Sequence, residues 1–284
     1  MMRRLKLLME FLDLIKAIIL GFVEGMTEFA PVSSTGHMII VDDLWLNTKD
    51  FLGEGSANTF KIVIQLGSIL AVVFVMWKRI LSLVGLYKIE GQSSSRKFNL
   101  GHVIVGIIPA GIFGVLFEDF IDENLFSTNT VIIGLIVGAI WMIVADRVSG
   151  QRKATITSLD DLSYGKAFKV GLIQCLSLWP GFSRSGATIS GGVMLGLDHK
   201  TAADFTFIMA VPIMAGASGI SLIKNWSDLD PSHTGFYIIG FISAFVFALI
   251  AIKFFLKLIS KVKLVPFAVY RIVLAIVLIV FLYL

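Results

Sequence analysis

The chain has 284 residues, 56% hydrophobic and 15% charged, with a mean hydropathy of +0.88, a balance that excludes an ordinary soluble domain. It reads as an all-α polytopic membrane protein with a single integral membrane domain over 1–284. Its one cysteine, Cys175, excludes an internal disulfide and a multi-cysteine metal site, and at a modest net charge of +4 no nucleic-acid partner is expected.

The start, Met-Met-Arg-Arg-Leu-Lys, leads into an apolar run with no small-residue cleavage site, because polar Glu24 and Thr27 follow it; the segment is expected to be retained. An interrupted apolar segment covers about 11–45, followed by a polar loop at 46–59 and an apolar run at 60–77. The loop at 78–99 is basic, with Lys78, Arg79, Lys88, Arg96 and Lys97 against Glu90. A helix at 102–117 then leads to an acidic loop bearing Glu118, Asp119, Asp122 and Glu123. The run at 130–145 returns to Arg147, Arg152, Lys153, Lys166 and Lys169, and a second interrupted segment covers 165–198. Runs at 203–223, 235–252 and 265–284 complete the chain, with Asp228 and Asp230 after the first and Lys253, Lys257, Lys261 and Lys263 after the second. The positive-inside tendency places loops 78–99, 147–169 and 253–263 in the cytoplasm and loops 46–59, 118–129 and 224–234 outside, which requires about six crossings.

The two interrupted segments align without a gap at an offset of 150: Gly21 meets Gly171, Glu24 meets Gln174, Ser33 meets Ser183 and Gly36 meets Gly186. In each, an apolar helix stops at a proline, Pro31 or Pro180, which disfavours helical geometry in the residue before it. A Ser/Gly-rich turn and a second helix follow. Three crossings lie between the copies, so the second is inverted relative to the first: repeat 1 covers about 11–146 and repeat 2 about 165–284. Each segment is expected to be a re-entrant hairpin, the first entering from outside and the second from the cytoplasm, with tips meeting in a wet cavity near mid-membrane. The hairpin reading puts Arg3, Arg4 and Lys6 outside, against the charge tendency.

Glu24 and Glu28 are spaced i, i+4 near a helix C-terminus, where like charges repel and oppose the helix dipole. They need a cation, either a divalent metal or the guanidinium of Arg184. Ser33, Ser34, Thr35 and Gly36 precede one helix, and Ser183, Arg184, Ser185 and Gly186 another, with Thr188 further along it. Both helix starts suit an anion, and phosphate is the natural guest of Arg184. His37 follows Ser34 by three residues, so Ser34 reads as a nucleophile with Glu28 or His37 as its base. His102, His199 and His233 carry no assignment. No nucleotide-binding, zinc-protease or nucleophile-elbow motif occurs.

The stretches EGMTEFAPVSSTGH at 24–37 and PGFSRSGAT at 180–188 resemble the two signature motifs of the undecaprenyl-diphosphate phosphatase family, also called the bacitracin-resistance family. The likeness extends over essentially the whole chain. It implies a bacterial inner-membrane enzyme that hydrolyses undecaprenyl diphosphate to the monophosphate, recycling the carrier for peptidoglycan synthesis. The family's acidic pair falls on Glu24 and Glu28, its serine and histidine on Ser34 and His37, and its essential arginine on Arg184. Glu28, Ser34, His37 and Arg184 are thus the expected catalytic set. Glu24, Ser33, Thr35, Gly36, Ser183, Ser185, Gly186 and Thr188 are expected to hold the substrate. The resemblance also implies a site open to the periplasm, Mg²⁺ or Ca²⁺ at Glu24 and Glu28, and a homodimer. Direct attack by water, or His37 as nucleophile, are the alternatives at the site. A transporter or flippase of polyprenyl phosphate is the rival function, because broken helices in inverted repeats also build secondary transporters.

Overall fold

The computed structural model describes residues 2–89, 98–228 and 230–283. Thirteen α-helices form among these residues, the longest from the apolar runs: α1 (Met2–Thr27), α2 (Ser34–Met38), α3 (Thr48–Leu52), α4 (Glu54–Val75), α5 (Trp77–Leu83), α6 (Leu100–Leu116), α7 (Glu118–Leu125), α8 (Thr128–Gly150), α9 (Tyr164–Gln174), α10 (Arg184–Met194), α11 (His199–Lys224), α12 (Thr234–Val262) and α13 (Val265–Tyr283). A π-helix (Ile39–Leu46) continues α2, and a 3-10 helix (Cys175–Leu178) continues α9. The protein is all-α: among the described residues β-structure is limited to an isolated bridge between Ile156 and Leu197.

The helices α4, α8, α11, α12 and α13 are each long and apolar enough to cross a membrane. The sixth expected crossing, α6, reaches that length only together with α7, from which it is bent by 74°. Large apolar side chains such as Phe74, Val115, Ile223, Phe254 and Phe281 point outward, an arrangement suited to lipid rather than water. The protein is a multi-pass membrane protein.

Several expected loops are partly helical. The polar stretch 46–59 contains α3 and the start of α4, the acidic stretch after α6 is α7, and Lys78 and Arg79 lie on α5. Their charged residues lie on short amphipathic helices, for which a hydropathy reading has no signal. Glu90, Arg96 and Lys97 fall outside the described residues, as do the side chains of Arg3, Arg4 and Lys6.

Two helix–turn–helix units occupy the centre. In the first, α1 packs against α2, and α1 also lies along α12; in the second, α9 packs against α10 and lies along α6. Glycines set both long seams. A Cβ on Gly21 would come within 2.5 Å of the Gly240 carbonyl oxygen, and one on Gly171 within 2.2 Å of the Gly106 carbonyl oxygen. The aligned pair Gly21 and Gly171 therefore does the same work twice, letting backbones touch where side chains would hold them apart. Around the units α12 packs on α4, α13 and α10 on α8, and α11 on α4 and α10. Phe29, Phe205, Phe207, Met142 and Ile189 fill the interior next to the turns.

Candidate active site

Both turns are set by the same backbone device. Ser33 has φ 71° and Ser183 φ 72°, a left-handed conformation uncommon for any residue but glycine, and each is the N-cap of the helix that follows. The Ser33 hydroxyl accepts from the Gly36 N–H at 3.4 Å, and the Ser183 hydroxyl from the Gly186 N–H at 3.2 Å. Strain repeated at aligned positions of two turns reverses the chain, and the residue after each, Ser34 in its own unit and Arg184 from the other, bonds Glu28.

That next residue is where the units meet. One oxygen of Glu28 accepts from the Arg184 guanidinium at 3.1 Å, and the other accepts from the Ser34 hydroxyl at 2.7 Å. The ionic partners are largely shielded, with side chains only 13% and 10% exposed for Arg184 and Glu28. The Arg184 guanidinium also lies over the Phe29 ring, 5.9 Å from its centroid. Of the two candidate cations for the acidic pair, the structure brings Arg184 to Glu28. Glu24 is buried beside them, and its Oε1 has no hydrogen-bond partner among the described residues. The same holds for Nε and Nη1 of Arg184 and for both side-chain polar atoms of Gln174, the residue aligned with Glu24. A cluster of buried, unsatisfied polar atoms of both signs is costly unless something polar completes it.

His37 faces elsewhere. Its Nδ1 is 2.8 Å from the Ser33 carbonyl oxygen, which can only accept, so Nδ1 carries a proton and donates it there; Nε2 is hydrogen-bonded with the Tyr270 hydroxyl at 2.6 Å. The two rings stack nearly parallel, 8° apart. Glu28 is therefore the carboxylate in contact with Ser34, and His37 is tied to the turn and to α13.

The remaining expected residues divide by partner. Thr35 lines a cavity of 480 Å³ together with Glu24, Ser34, Asp43, Lys61 and Gln65 and with apolar Ile39, Ile62 and Phe126. Lys61 on α4 pairs with Asp42 at 2.9 Å and with Asp43 at 3.1 Å beside this cavity. Ser185 donates to the Ala30 carbonyl at 3.0 Å and so ties the second turn to the first. Thr188 donates to the Arg184 carbonyl at 2.8 Å and accepts from Thr206 at 2.8 Å. A Cβ on Gly36 would meet Leu135 and Leu274, and one on Gly186 would meet Arg271, while their N–H groups cap onto Ser33 and Ser183. α2 is a single five-residue turn before the π-helix, whereas α10 runs for 11 residues, so the stronger dipole end belongs to the second unit.

Two contributors were missed in the sequence, both on α13. Tyr270 anchors His37. Arg271, fully buried, donates from Nη2 to the Gly181 carbonyl at 2.8 Å and the Gly134 carbonyl at 3.1 Å, clamping the second turn onto α8. An arginine within an apolar helix is the one signal that could have found it.

Residues 17–277 match the family model described as bacitracin resistance protein BacA. Curated relatives named undecaprenyl-diphosphatase include one from Exiguobacterium sibiricum, 66% identical over 97% of this chain and 100% of that protein. Those from Bacillus subtilis, 60% identical, and Staphylococcus aureus, 58% identical, each span 94% of this chain and 97% and 95% of their own lengths.

Proposed function

The chain belongs to the bacitracin resistance protein BacA family, and from that premise we propose that its two turns form the catalytic centre of an undecaprenyl-diphosphatase. The enzyme is a membrane phosphatase that hydrolyses undecaprenyl diphosphate to undecaprenyl phosphate and inorganic phosphate, returning the lipid carrier to peptidoglycan synthesis. The observation that carries the assignment to the turns is Glu28, which bridges a serine hydroxyl and a buried arginine from the opposite unit.

The Ser34 oxygen attacks the terminal phosphorus while its proton passes to Glu28, with which it is already hydrogen-bonded at 2.7 Å. The bond from that phosphorus to the bridging oxygen breaks, and undecaprenyl phosphate leaves with the electron pair. Arg184, whose Nε and Nη1 have no partner among the described residues, grips the phosphoryl oxygens as charge shifts between them. Glu28 passes the Ser34 proton to the departing undecaprenyl phosphate, then takes one from the water that attacks the phosphoserine phosphorus; the bond from phosphorus to the Ser34 oxygen breaks, Ser34 recovers the proton from Glu28, and inorganic phosphate leaves. His37 keeps the turn in place through Ser33 and Tyr270.

A divalent ion fits at Glu24, whose Oε1 is buried and without a partner among the described residues. Glu28 is already engaged, and no group of three or more His, Cys, Asp or Glu side chains gathers among the described residues. The other ligands would be diphosphate oxygens and water, the coordination Mg²⁺ favours. Bound there, Mg²⁺ or Ca²⁺ would offset charge on the diphosphate.

The cavity's Asp43, Lys49, Asn58 and Thr128 lie on or beside the stretches that the charge pattern assigns to the outside, which supports access from the periplasmic face of the bacterial inner membrane. The re-entrant, inverted-repeat reading is supported by the matched Ser33 and Ser183 caps and by the matched glycine seams. The homodimer is the family's implication, and cross-linking in native membranes tests it.

The direct experiment is phosphate release from undecaprenyl diphosphate by the purified protein in detergent, where no vectorial transport exists. Release that falls about 10³-fold or more in Ser34→Ala supports the assignment. Substrate binding without release by the unmodified protein sinks it in favour of a flippase.

A further inference from the structure

A second cavity, of 670 Å³, leaves the catalytic centre in another direction. It runs between α6, the 3-10 helix and α11, and its walls are apolar, including Ile108, Ile112, Leu178, Ile213 and Ile220. Its inner end is formed by Gln174 and Arg184. Gln174 is only 2% exposed and neither of its side-chain polar atoms has a partner among the described residues; Arg184 contributes its own unpaired Nε and Nη1. At the other end Lys224 pairs with Glu118 at 3.1 Å. Hydrocarbon walls leading to buried, unsatisfied donors suit a ligand that is oily along its length and anionic at its tip. The cavity at Glu24 and Lys61 mixes apolar Ile39, Ile62 and Phe126 with charged Asp43, Lys49 and Lys61, so an oily chain there would lie against charges.

Two glycines in these walls have no packing reason to be glycine. Gly21 and Gly171 admit a neighbouring backbone, but a Cβ on Gly111 of α6 or Gly216 of α11 would meet nothing within 4 Å. Glycine is a poor helix former, so its use inside two long helices with open space beside it keeps room for something other than the protein.

Resting on the phosphatase reading above, we propose that this groove holds the isoprene units of the substrate's tail nearest the diphosphate, and that Gly111 and Gly216 keep it wide enough for them. The tail enters sideways from the lipid between α6 and α11, which leads the diphosphate to Arg184. Water and phosphate use the separate cavity at Glu24 and Lys61. The groove's volume is that of an ordinary ligand pocket, so the outer part of a long tail stays in the bilayer.

The test compares Gly111→Leu and Gly216→Leu with Gly219→Leu, all as purified full chains in detergent, on undecaprenyl diphosphate and on farnesyl diphosphate. Gly219 is on the same helix as Gly216 and also has open space at Cβ, but it does not line the groove. Leucine favours the helix in all three. The expected result is a KM about tenfold higher or more for both diphosphates in the two groove variants with kcat retained, the pattern of lost uniform binding, because the three isoprene units of farnesyl diphosphate are the ones the groove holds. Gly219→Leu matches the unmodified protein. An unchanged KM for either substrate, a loss confined to kcat, or the same loss in Gly219→Leu would overturn the groove while leaving the phosphatase reading intact. An unmodified protein that releases no phosphate from either diphosphate overturns both.

Discussion

The two turns share a backbone and differ in charge. Ser33 and Ser183 adopt nearly the same left-handed conformation and cap the following helices in the same way, yet the residues they aim are Ser34 in one and Arg184 in the other. The buried residues one helix turn or more upstream differ likewise, Glu24 against Gln174. The first unit carries the carboxylates and the serine hydroxyl, and the second carries the cation that makes the burial of Glu28 tolerable. The matched caps supply position, and side chains that differ between the two turns, Glu28, Ser34 and Arg184 among them, set the charge. Neither turn alone is a site, because a buried carboxylate pair without Arg184 and a buried Arg184 without Glu28 are each uncompensated charges.

The sharpest way to break this division of labour is to remove either charge. Arg184→Ala and Glu28→Gln are each expected to lower kcat/KM for undecaprenyl diphosphate by about 10²–10⁴-fold, read as released phosphate. If Glu28→Gln were harmless while His37→Ala were not, the base would belong to His37. A structural prediction comes next in size. Arg271→Met removes the donors from the Gly134 and Gly181 carbonyls, at about 1–3 kcal/mol for each group left unpaired, and should lower the melting temperature in detergent. Loss of Arg271 loosens only the second turn, so disulfide cross-linking between the units should report a displaced Arg184 rather than a displaced Ser34.

Smaller effects separate anchoring from chemistry. Tyr270→Phe deletes one hydrogen bond to His37 and is expected to cost about tenfold in kcat/KM or less, in line with ~1 kcal/mol for such a bond. A loss as large as that of Glu28→Gln would move Tyr270 and His37 into the proton path. The smallest effect is expected for Thr188→Val. Its hydroxyl is taken up by the Arg184 carbonyl and Thr206, so stability should fall by ~1 kcal/mol with KM unchanged. A raised KM would show that Thr188 contacts the substrate after all.

Much of this is legible in the sequence. Pro31 and Pro180 with their Ser/Gly clusters marked two breaks in oily helices, and the aligned Gly21/Gly171 and Ser33/Ser183 pairs proved to share packing and backbone geometry. Glu28 and Arg184, 156 positions apart, could be paired in advance because a buried charge needs a partner and few were on offer. The sequence was silent where partners are backbone atoms or chance neighbours in space. Arg271 binds two glycine carbonyls, which leave no trace in residue type, and Tyr270 meets His37 across 233 positions. The π-helix Ile39–Leu46 was equally invisible, since Asp42 is held there by Lys61 and the Thr48 N–H rather than by any local pattern. The choice between Glu28 and His37 as partner of Ser34 also needed coordinates, because both lie within reach by spacing alone.

The central claim is that two turns far apart in the chain act as one site through Glu28 and Arg184, and a double-mutant cycle measures that coupling most directly. Phosphate release is followed for Glu28→Gln, Arg184→Gln and the double variant. Groups that act as a unit are non-additive, so the double variant is expected to be about as impaired as the worse single one. Losses that multiply, as they do for independent sites, would contradict the account.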